Sequence, residues 1–241
     1  MITWNQKDAW VGVFDILGFK NLIRQTDQEF PRALLTSKLN DLFNALDHDV
    51  MRHGQLEYMV FSDTIVIFAP DLEVRSYGWF LLQCKILIKK SIAISLPMRG
   101  AISVGTVFIS SLPPMIIGPS FLEAHEYCED QNWIGLLLAP SATLAVRKAG
   151  LEPLHHDFVL EDIPLRKMSP ENVLAYRFQN GISNYSSPLL VFLKEMKHFA
   201  PDKDKGKYSS TMAFIEKHYR YTETRNSELA NGSGQPLTVE K

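Results

Sequence analysis

The stretch from Val11 to Phe19, VGVFDILGF, constrains the fold of this chain more than any other segment. Its nearly unbroken apolar run predicts a strand that is buried on both faces, inside a sheet. A single carboxylate, Asp15, ends the run, Gly18 follows it, and a helical pattern begins after the glycine. Because a charged group at the end of a buried strand is costly without a partner, this position predicts either a helix cap or a functional site.

Composition narrows the class of protein. The chain has 241 residues, 46% of them hydrophobic, which is enough for a large core and predicts one main domain. The net charge of −2 gives no basic excess, so nucleic acid is not an expected partner. Two widely separated cysteines favour a reducing cytoplasm. No signal peptide and no apolar run of about 18 residues is visible, so we expect a cytoplasmic protein without membrane contact.

Strand and helix patterns alternate along the first half of the chain. Apolar residues recur at helical spacing over residues 30–51 and again over 77–88. Between them, the strands LEYMVF and TIVIFA are separated by Ser62 and Asp63, which predicts a tight hairpin. With the following strand MRGAISVGTVFI the order becomes β-α-β-β-α-β. That order predicts an α+β fold, a ferredoxin-like sheet with helices on one face.

The later segments predict additional elements. A short strand in LPPMIIG, a helix in PSFLEAHEYCED and a strand in WIGLLLA come first, and DFVLEDIPLRKM and VLAYRF predict a closing strand pair. Residues 188–222 have helical patterns at both ends of a charged break, APDKDKGKYSS. We therefore divide the chain into a main domain over residues 1–185, a helical extension over 186–224 and a polar, disordered tail over 225–241.

Asp15 and Asp63 are the candidate metal ligands. In a β-α-β-β arrangement the end of the first strand and the tip of the hairpin can fall side by side. Two acids there repel and raise each other's pKa unless a cation lies between them. Mg²⁺ or Mn²⁺ fits, because hard cations take oxygen ligands and two such ions can activate a hydroxyl and neutralise a leaving phosphate. The alternatives are an ordinary turn residue at Asp63 and a helix cap at Asp15.

Further positions are candidates for phosphate contacts. The free backbone N–H groups of the turn after Gly18 suit a triphosphate. Arg99 is charged within an otherwise apolar strand, where it would contact phosphate, support the metal acids or form a structural ion pair. Arg166 and Lys167 are either a triphosphate clamp or a surface pair.

The histidines are weaker candidates. His155 and His156 are adjacent, so in a strand they point apart and suit one metal poorly. His125, on the short helix, is either a proton relay or a partly exposed helix residue. No GxSxG, P-loop or HExxH pattern occurs in the chain.

These segments, taken in order over about residues 8 to 180, resemble a class III nucleotide cyclase domain. FDILGF resembles the family's F-x-D-I-x-G-F strand end, and FSDTIVIF resembles the hairpin with its second acid. RGAISVG is similar to the strand R-x-G-I-x-x-G, GPSFLEAHEYCE to the glycine-led helix, and IPLR to a late VPLK-like strand. The resemblance implies metal-dependent formation of a 3′,5′-cyclic nucleotide from a nucleoside triphosphate, with release of pyrophosphate.

The resemblance also implies roles for individual residues. It implies three metal ligands, namely Asp15, Asp63 and the main-chain carbonyl of Ile16, for two Mg²⁺ or Mn²⁺ ions. It implies phosphate contacts from the backbone amides of Gly18 and Phe19 and from the side chain of Arg166. Arg99 would support the phosphates or the metal acids.

The chain departs from the family pattern where purine cyclases recognise their base and stabilise the transition state. Leu122 and Glu126 align with the Asn and Arg of the glycine-led helix, and neither can replace them. Met59 occupies the base-selecting position, with Tyr58 beside it, and the acidic partner of that position aligns near Met115. The residues that read adenine and guanine are therefore absent.

Those departures, with FSDTIVIF, MRGAISVG and GPSFLEAHEYCE, resemble the bacterial pyrimidine cyclases of the Pycsar antiphage system. That resemblance implies UTP or CTP as substrate, Tyr58 and Met59 at the base, and a homodimer with active sites at its interface. Two alternatives stay open: a purine cyclase with unusual base recognition, and a non-catalytic cyclase-like module that binds a nucleotide or a partner.

Overall fold

The computed structural model describes residues 3–24, 29–53, 56–69, 71–151, 157–178 and 186–230. Within these ranges the chain forms an eight-stranded sheet. Its strands are β1 (Asn5–Ile16), β2 (Glu57–Phe61), β3 (Thr64–Phe68), β4 (Met98–Ser111), β5 (Pro114–Ile117), β6 (Leu136–Leu138), β7 (Phe158–Leu160) and β8 (Leu174–Tyr176). The helices are α1 (Phe19–Arg24), α2 (Glu29–His53), α3 (Val74–Ala93), α4 (Pro119–Asp130), α5 (Pro140–Lys148), α6 (Ser186–Phe199) and α7 (Asp202–Ala230).

The order of the strands confirms the predicted ferredoxin-like arrangement. Seven strands follow the order β2-β3-β1-β4-β6-β8-β7, and β5 pairs with β4 outside that path. β1 is antiparallel to both β3 and β4, and β2 is antiparallel to β3. β6 then continues the sheet parallel to β4. The strand with the acid is therefore central, as its apolar sequence predicts.

β1 begins earlier than its apolar run suggests. It pairs with β4 from Asn5, opposite Ile109, to Ile16, opposite Met98. The first residues of β1 are polar and exposed, so their pattern resembles a loop. The partner strand, which a local pattern does not reveal, keeps them extended.

Helices cover both faces of the central strands. On one face Tyr77 of α3 packs against Trp10, with ring centroids 4.0 Å apart. On the other face the Ser103 hydroxyl of β4 donates to the Ser120 carbonyl of α4 at 2.5 Å. The expectation of helices on one face only is therefore wrong. β1 and β4 have apolar or small side chains on both sides, and each side needs a covering layer.

The closing strands confirm one prediction and correct another. β7 and β8 form the expected antiparallel pair, from Phe158 opposite Tyr176 to Leu160 opposite Leu174. The IPLR segment is not a strand, because Leu165 makes only an isolated bridge to Gln131.

The charged segment after α6 is not a long break. Only Ala200 and Pro201 separate α6 from α7, and the charged residues that follow lie inside α7. The pairs Lys205–Asp202 and Lys207–Asp204 each span 2.7 Å at helical spacing. Such pairs, with acids in the first turn, stabilise a helix start. α7 reaches Ala230, and residues 231–241 of the predicted tail lie outside the described residues.

α7 is packed onto the sheet domain. The Phe214 ring lies edge-on to Trp133, with centroids 4.8 Å apart, and Trp133 is fully buried. The domain boundaries at 185 and 224 stay predictions. None of the helices in the described ranges combines the length and the apolar character needed to cross a membrane.

Candidate active site

Asp15 and Asp63 approach each other because β1 and β3 are neighbouring strands. Asp15 lies opposite Thr64, the residue after Asp63, and the Ile16 N–H donates to the Asp63 carbonyl at 3.0 Å. Ser62 has the left-handed backbone conformation, with φ 58°, that the tight turn before Asp63 requires. Burial raises the pKa of Asp15, and the negative charge of Asp63 adds a smaller contribution in the same direction. The structure therefore brings the two predicted metal acids together.

Arg99 faces Asp15 across the β1–β4 ladder. The two residues are directly opposite each other, and Arg99 Nε donates to Asp15 Oδ2 at 2.8 Å. Nη1 of the same guanidinium donates to the Gln131 carbonyl at 3.1 Å and to the Glu129 carbonyl. The Arg99 side chain is 11% exposed. It is thus committed to holding Asp15, a contact that fits both a structural ion pair and a support for a metal acid.

The electrostatics of Asp15 test whether the acids suit a cation. Burial raises the pKa of its carboxyl, Arg99 opposes that rise, and Asp63 and Glu129 add to it. The net shift is upward, chiefly because the effect of burial on the carboxylate outweighs that of Arg99. Asp15 and Asp63 offer carboxylate oxygens, which are the ligands of hard divalent cations. The residues present therefore fit Mg²⁺ or Mn²⁺.

The turn between β1 and α1 has the predicted glycine geometry. Gly18 has φ 75°, and a Cβ there would meet no atom within 4 Å. Its carbonyl accepts hydrogen bonds from the N–H groups of Asn21 and Leu22, which start α1. Gly18 is exposed and Phe19 is half-buried. The turn thus presents open backbone beside the acids.

Arg166 is engaged with the end of α4. Its side chain donates to the main-chain carbonyls of Asp130, at 3.4 Å, and of Glu129. The backbone N–H groups of Arg166, Lys167 and Met168 converge on Asp130 Oδ2 at 2.7–2.8 Å. Burial raises the pKa of Asp130, but these three donors together lower it overall. The sequence gives no sign of this arrangement, since it depends on where α4 ends.

The two predicted base contacts lie on opposite faces of the sheet. Met59 is opposite Val66, which is opposite Val13, two residues from Asp15 and on the same face. Tyr58 is opposite Ile67 and so belongs to the other face. The structure therefore brings Met59, and not Tyr58, to the face that carries the acids.

The remaining candidates do not join the site. His125 is partly exposed and 4.0 Å from Glu129, as expected of a surface helix residue. His155 and His156 lie outside the described residues. Among the residues that the structure describes, no cluster of three or more His, Cys, Asp or Glu side chains could hold a metal ion. The acid pair completed by a main-chain carbonyl is thus the donor set on which a metal proposal rests.

A cavity of about 560 Å³ lies next to the glycine turn. Leu17 and Gly18 form part of its wall, and the ends of α6 and α7 form another part through Met196, Phe199 and Tyr208. The described part of the C-terminal helices therefore reaches the turn that follows Asp15.

Comparison with solved structures places this fold. The catalytic core of a rhodopsin-guanylyl cyclase with converted specificity, in complex with ATPαS, aligns with a TM-score of 0.51 at 14% identity, over 72% of this chain and 97% of that one. The guanylyl cyclase Cya2 aligns at 0.50 and 11% identity, over 76% and 98%. The guanylate cyclase domain of RhGC from Catenaria anguillulae, in complex with GTP, aligns at 0.50 and 13%, over 71% and 97%.

The other comparisons add no relative. No protein-family model matches the chain, and no curated protein matches it. The three solved structures described above are guanylyl cyclase catalytic domains, and each is covered almost completely by the alignment. The chain therefore has the mixed α+β fold of a class III nucleotide cyclase catalytic domain.

Proposed function

We propose that this protein is a metal-dependent nucleotide cyclase that converts UTP or CTP to the 3′,5′-cyclic nucleotide and pyrophosphate. The observation that carries the proposal is the approach of Asp15 and Asp63, with Arg99 bound to Asp15. Burial, with a further contribution from the charge of Asp63, raises the pKa of Asp15 next to an open glycine turn, and such a site is suited to a cation and a triphosphate.

The residues have separable tasks in this proposal. The metal, Mg²⁺ or Mn²⁺, would be held by the side chains of Asp15 and Asp63 and by the main-chain carbonyl of Ile16. When bound, such an ion lowers the pKa of the ribose 3′-hydroxyl and neutralises charge on the phosphates. Arg99 fixes the rotamer of Asp15. The amides of Gly18 and Phe19 would orient the triphosphate. The 3′-hydroxyl loses its proton to solvent as its oxygen bonds to the α-phosphorus. The bond from that phosphorus to the oxygen bridging to the β-phosphate breaks, and pyrophosphate leaves. Most of the catalysis is therefore positioning and charge stabilisation.

The base would be recognised partly by a second copy of the chain. Met115 pairs with Ser110, eleven residues along β4 from Arg99 (110 minus 99). At strand spacing that separation is roughly 36 Å, so Met115 cannot reach the acids of its own chain. Leu122 on α4 and Phe61 on β2 are 55% and 45% exposed, which suits a covering partner. This arrangement supports a homodimer with shared sites.

The proposed pyrimidine selectivity rests on the lack of purine-binding side chains near the sheet face that carries the acids. Met59 supplies no hydrogen-bond partner for a purine, and Leu122 and Glu126, both exposed on α4, replace the Asn and Arg of purine cyclases. An apolar position of this kind admits a single-ring base. By resemblance, the cyclic pyrimidine nucleotide would be a signal in bacterial antiphage defence.

Incubation with ATP, GTP, CTP and UTP in Mn²⁺, followed by chromatographic separation of the products, tests the proposal. We expect a cyclic product from UTP or CTP and none from the purines. Asp15→Asn and Asp63→Asn should each abolish it while the far-UV circular dichroism stays native. A cyclic purine product would contradict the base assignment, and full activity in either variant would contradict the role of the acids.

The second candidate is a cyclase-like module without turnover. Leu122 and Glu126 favour it, because neither can stabilise the transition state as Asn and Arg do in the family. Saturable nucleotide binding in calorimetry, without any cyclic product in Mn²⁺, would be the result expected of such a module.

A further inference from the structure

The main-chain carbonyl of Gln131 is a fixed anchor for Arg99. Arg99 donates to it from Nη1 at 3.1 Å while its Nε holds Asp15 at 2.8 Å. The position of the guanidinium, and with it the rotamer of Asp15, therefore depends on where the segment after α4 lies.

The Gln131 side chain ties that segment to the sheet. It is fully buried, and its Nε2 donates to the Gly100 carbonyl at 3.0 Å and to the Tyr127 carbonyl at 3.2 Å. The Gly100 N–H in turn donates to the Gly135 carbonyl at 2.8 Å. Both backbone groups of the residue next to Arg99 are thus bonded to the stretch 131–135.

α7 holds the other end of the same stretch. The Ile134 N–H donates to the Thr211 hydroxyl at 2.8 Å, and that hydroxyl lies 3.0 Å from the Ile134 carbonyl, within donating distance. Trp133, whose Nε1 donates to Gln131 Oε1 at 2.7 Å, packs against Phe214 of α7. Thr211 and Trp133 are both fully buried. Contacts therefore lead from Phe214 through Trp133 to the Gln131 side chain, and from the Gln131 carbonyl through Arg99 to Asp15, while Thr211 holds the same stretch at Ile134.

We propose that Thr211 and Phe214 of α7 are positioning residues for the Asp15 carboxylate, acting through the stretch 131–134 and Arg99. The inference rests on the proposed function for its consequence, since Asp15 matters to catalysis only if it binds the metal. It assigns the C-terminal helix a part in preparing the metal site, and not only in stabilising the fold.

The test compares Thr211→Val with Ser209→Ala. Thr211→Val removes the hydroxyl that holds Ile134 and keeps the side-chain shape. Ser209→Ala removes a hydroxyl two residues away whose bond, to the Lys205 carbonyl at 3.1 Å, stays inside α7. Should Thr211→Val fail to fold, Phe214→Leu weakens the packing of α7 on Trp133, the other contact between α7 and this stretch.

The first readout needs neither metal nor turnover. Solvent exchange of the Arg99 Nε–H, followed by ¹⁵N-resolved NMR in metal-free protein, reports directly on the bond to Asp15. We expect exchange to be faster by between about twofold and thirtyfold in Thr211→Val, and unchanged in Ser209→Ala. Equal exchange in wild type and in a folded Thr211→Val would overturn the inference.

The second readout is the affinity for Mn²⁺ by isothermal titration calorimetry. We expect Thr211→Val to lower the Mn²⁺ affinity by a factor of the same order and Ser209→Ala to leave it unchanged. In a protein that already carries Arg99→Lys, adding Thr211→Val should lower the affinity little further. If wild type makes no cyclic nucleotide, the proposed function fails while the exchange rates still decide the positioning role. If the exchange rates are equal while wild type is active, only the positioning role fails.

Discussion

At the scale of single residues, the cost of keeping Asp15 ionised can be measured. Burial raises the pKa of its carboxyl above the ordinary 3.8, so the folded state binds that proton more tightly than the unfolded state. The stability of the wild type therefore falls as pH rises from about 3.8 through the raised pKa, and then levels. Asp15→Asn cannot ionise, so its free energy of unfolding relative to wild type should increase over the same window.

Urea unfolding at a series of pH values checks this expectation. Asp202→Asn is the matched control, because a hydrogen bond from Lys205 lowers the pKa of Asp202 and its effect is complete above about pH 4. The difference in free energy of unfolding between Asp202→Asn and wild type should therefore stay constant from about pH 4 to neutral pH. A wild type that gains stability over Asp15→Asn as pH rises would contradict the upward shift.

Metal addition gives a second prediction at this scale. Mn²⁺ that binds only the folded protein should stabilise wild type by about 2.7 kcal/mol at a hundredfold excess over Kd. Asp63→Asn should lose most of that gain, since one of two carboxylates is gone. Calorimetric melting with Mn²⁺ and with EDTA measures the stabilisation of both proteins by the metal. Equal stabilisation of wild type and Asp63→Asn would contradict the proposal that Asp63 is a metal ligand.

How far single residues are predictable depends on how local their signals are. Asp15, Asp63 and Arg99 are recognisable because each interrupts an apolar strand or hairpin, and strand order then brings them together. The contacts of Arg166 are not predictable, because they depend on the end of α4, which no local pattern reveals. Gln131 looks like an ordinary polar residue in the sequence, although it is fully buried.

At the scale of elements, the close packing of β1 against β4 depends on a glycine, Gly100. A Cβ on Gly100 would lie 2.5 Å from the Phe14 ring, which fills the space above it. Gly100→Ala should therefore destabilise the protein by about 1–3 kcal/mol through overpacking. Gly78→Ala in α3, where a Cβ would meet no atom within 4 Å, should instead be neutral or stabilising by about 1 kcal/mol. Guanidinium unfolding of both variants separates the two cases.

The elements themselves are largely predictable where their pattern is periodic. The long helix α2 and the hairpin β2–β3 follow from spacing alone. The start of α7 does not, because its lysines and aspartates resemble a solvated loop until their helical pairing is seen. The polar beginning of β1 is strand only because β4 extends beside it.

At the scale of the whole molecule, α7 should contribute to global stability. Phe214 is 7% exposed against the buried Trp133, so Phe214→Ala should cost about 3–5 kcal/mol. Phe199→Ala, at a position 84% exposed, should change the free energy of unfolding by less than about 0.5 kcal/mol. Unfolding followed by tryptophan fluorescence measures both, and equal values would mean that α7 is not part of the cooperative unit.

The position of β2 at the border of the sheet has a consequence for how such proteins diverge. Met59 lies on this edge strand, so a substitution there affects hydrogen bonding to one neighbouring strand. Asp15 lies on β1, which is hydrogen-bonded to a strand on each side. Selection acting on substrate choice can therefore explore replacements at the edge at little cost to folding. Asp15 at the centre has no such freedom, so under the proposed function a lineage can exchange one nucleobase for another while its metal chemistry is inherited unchanged.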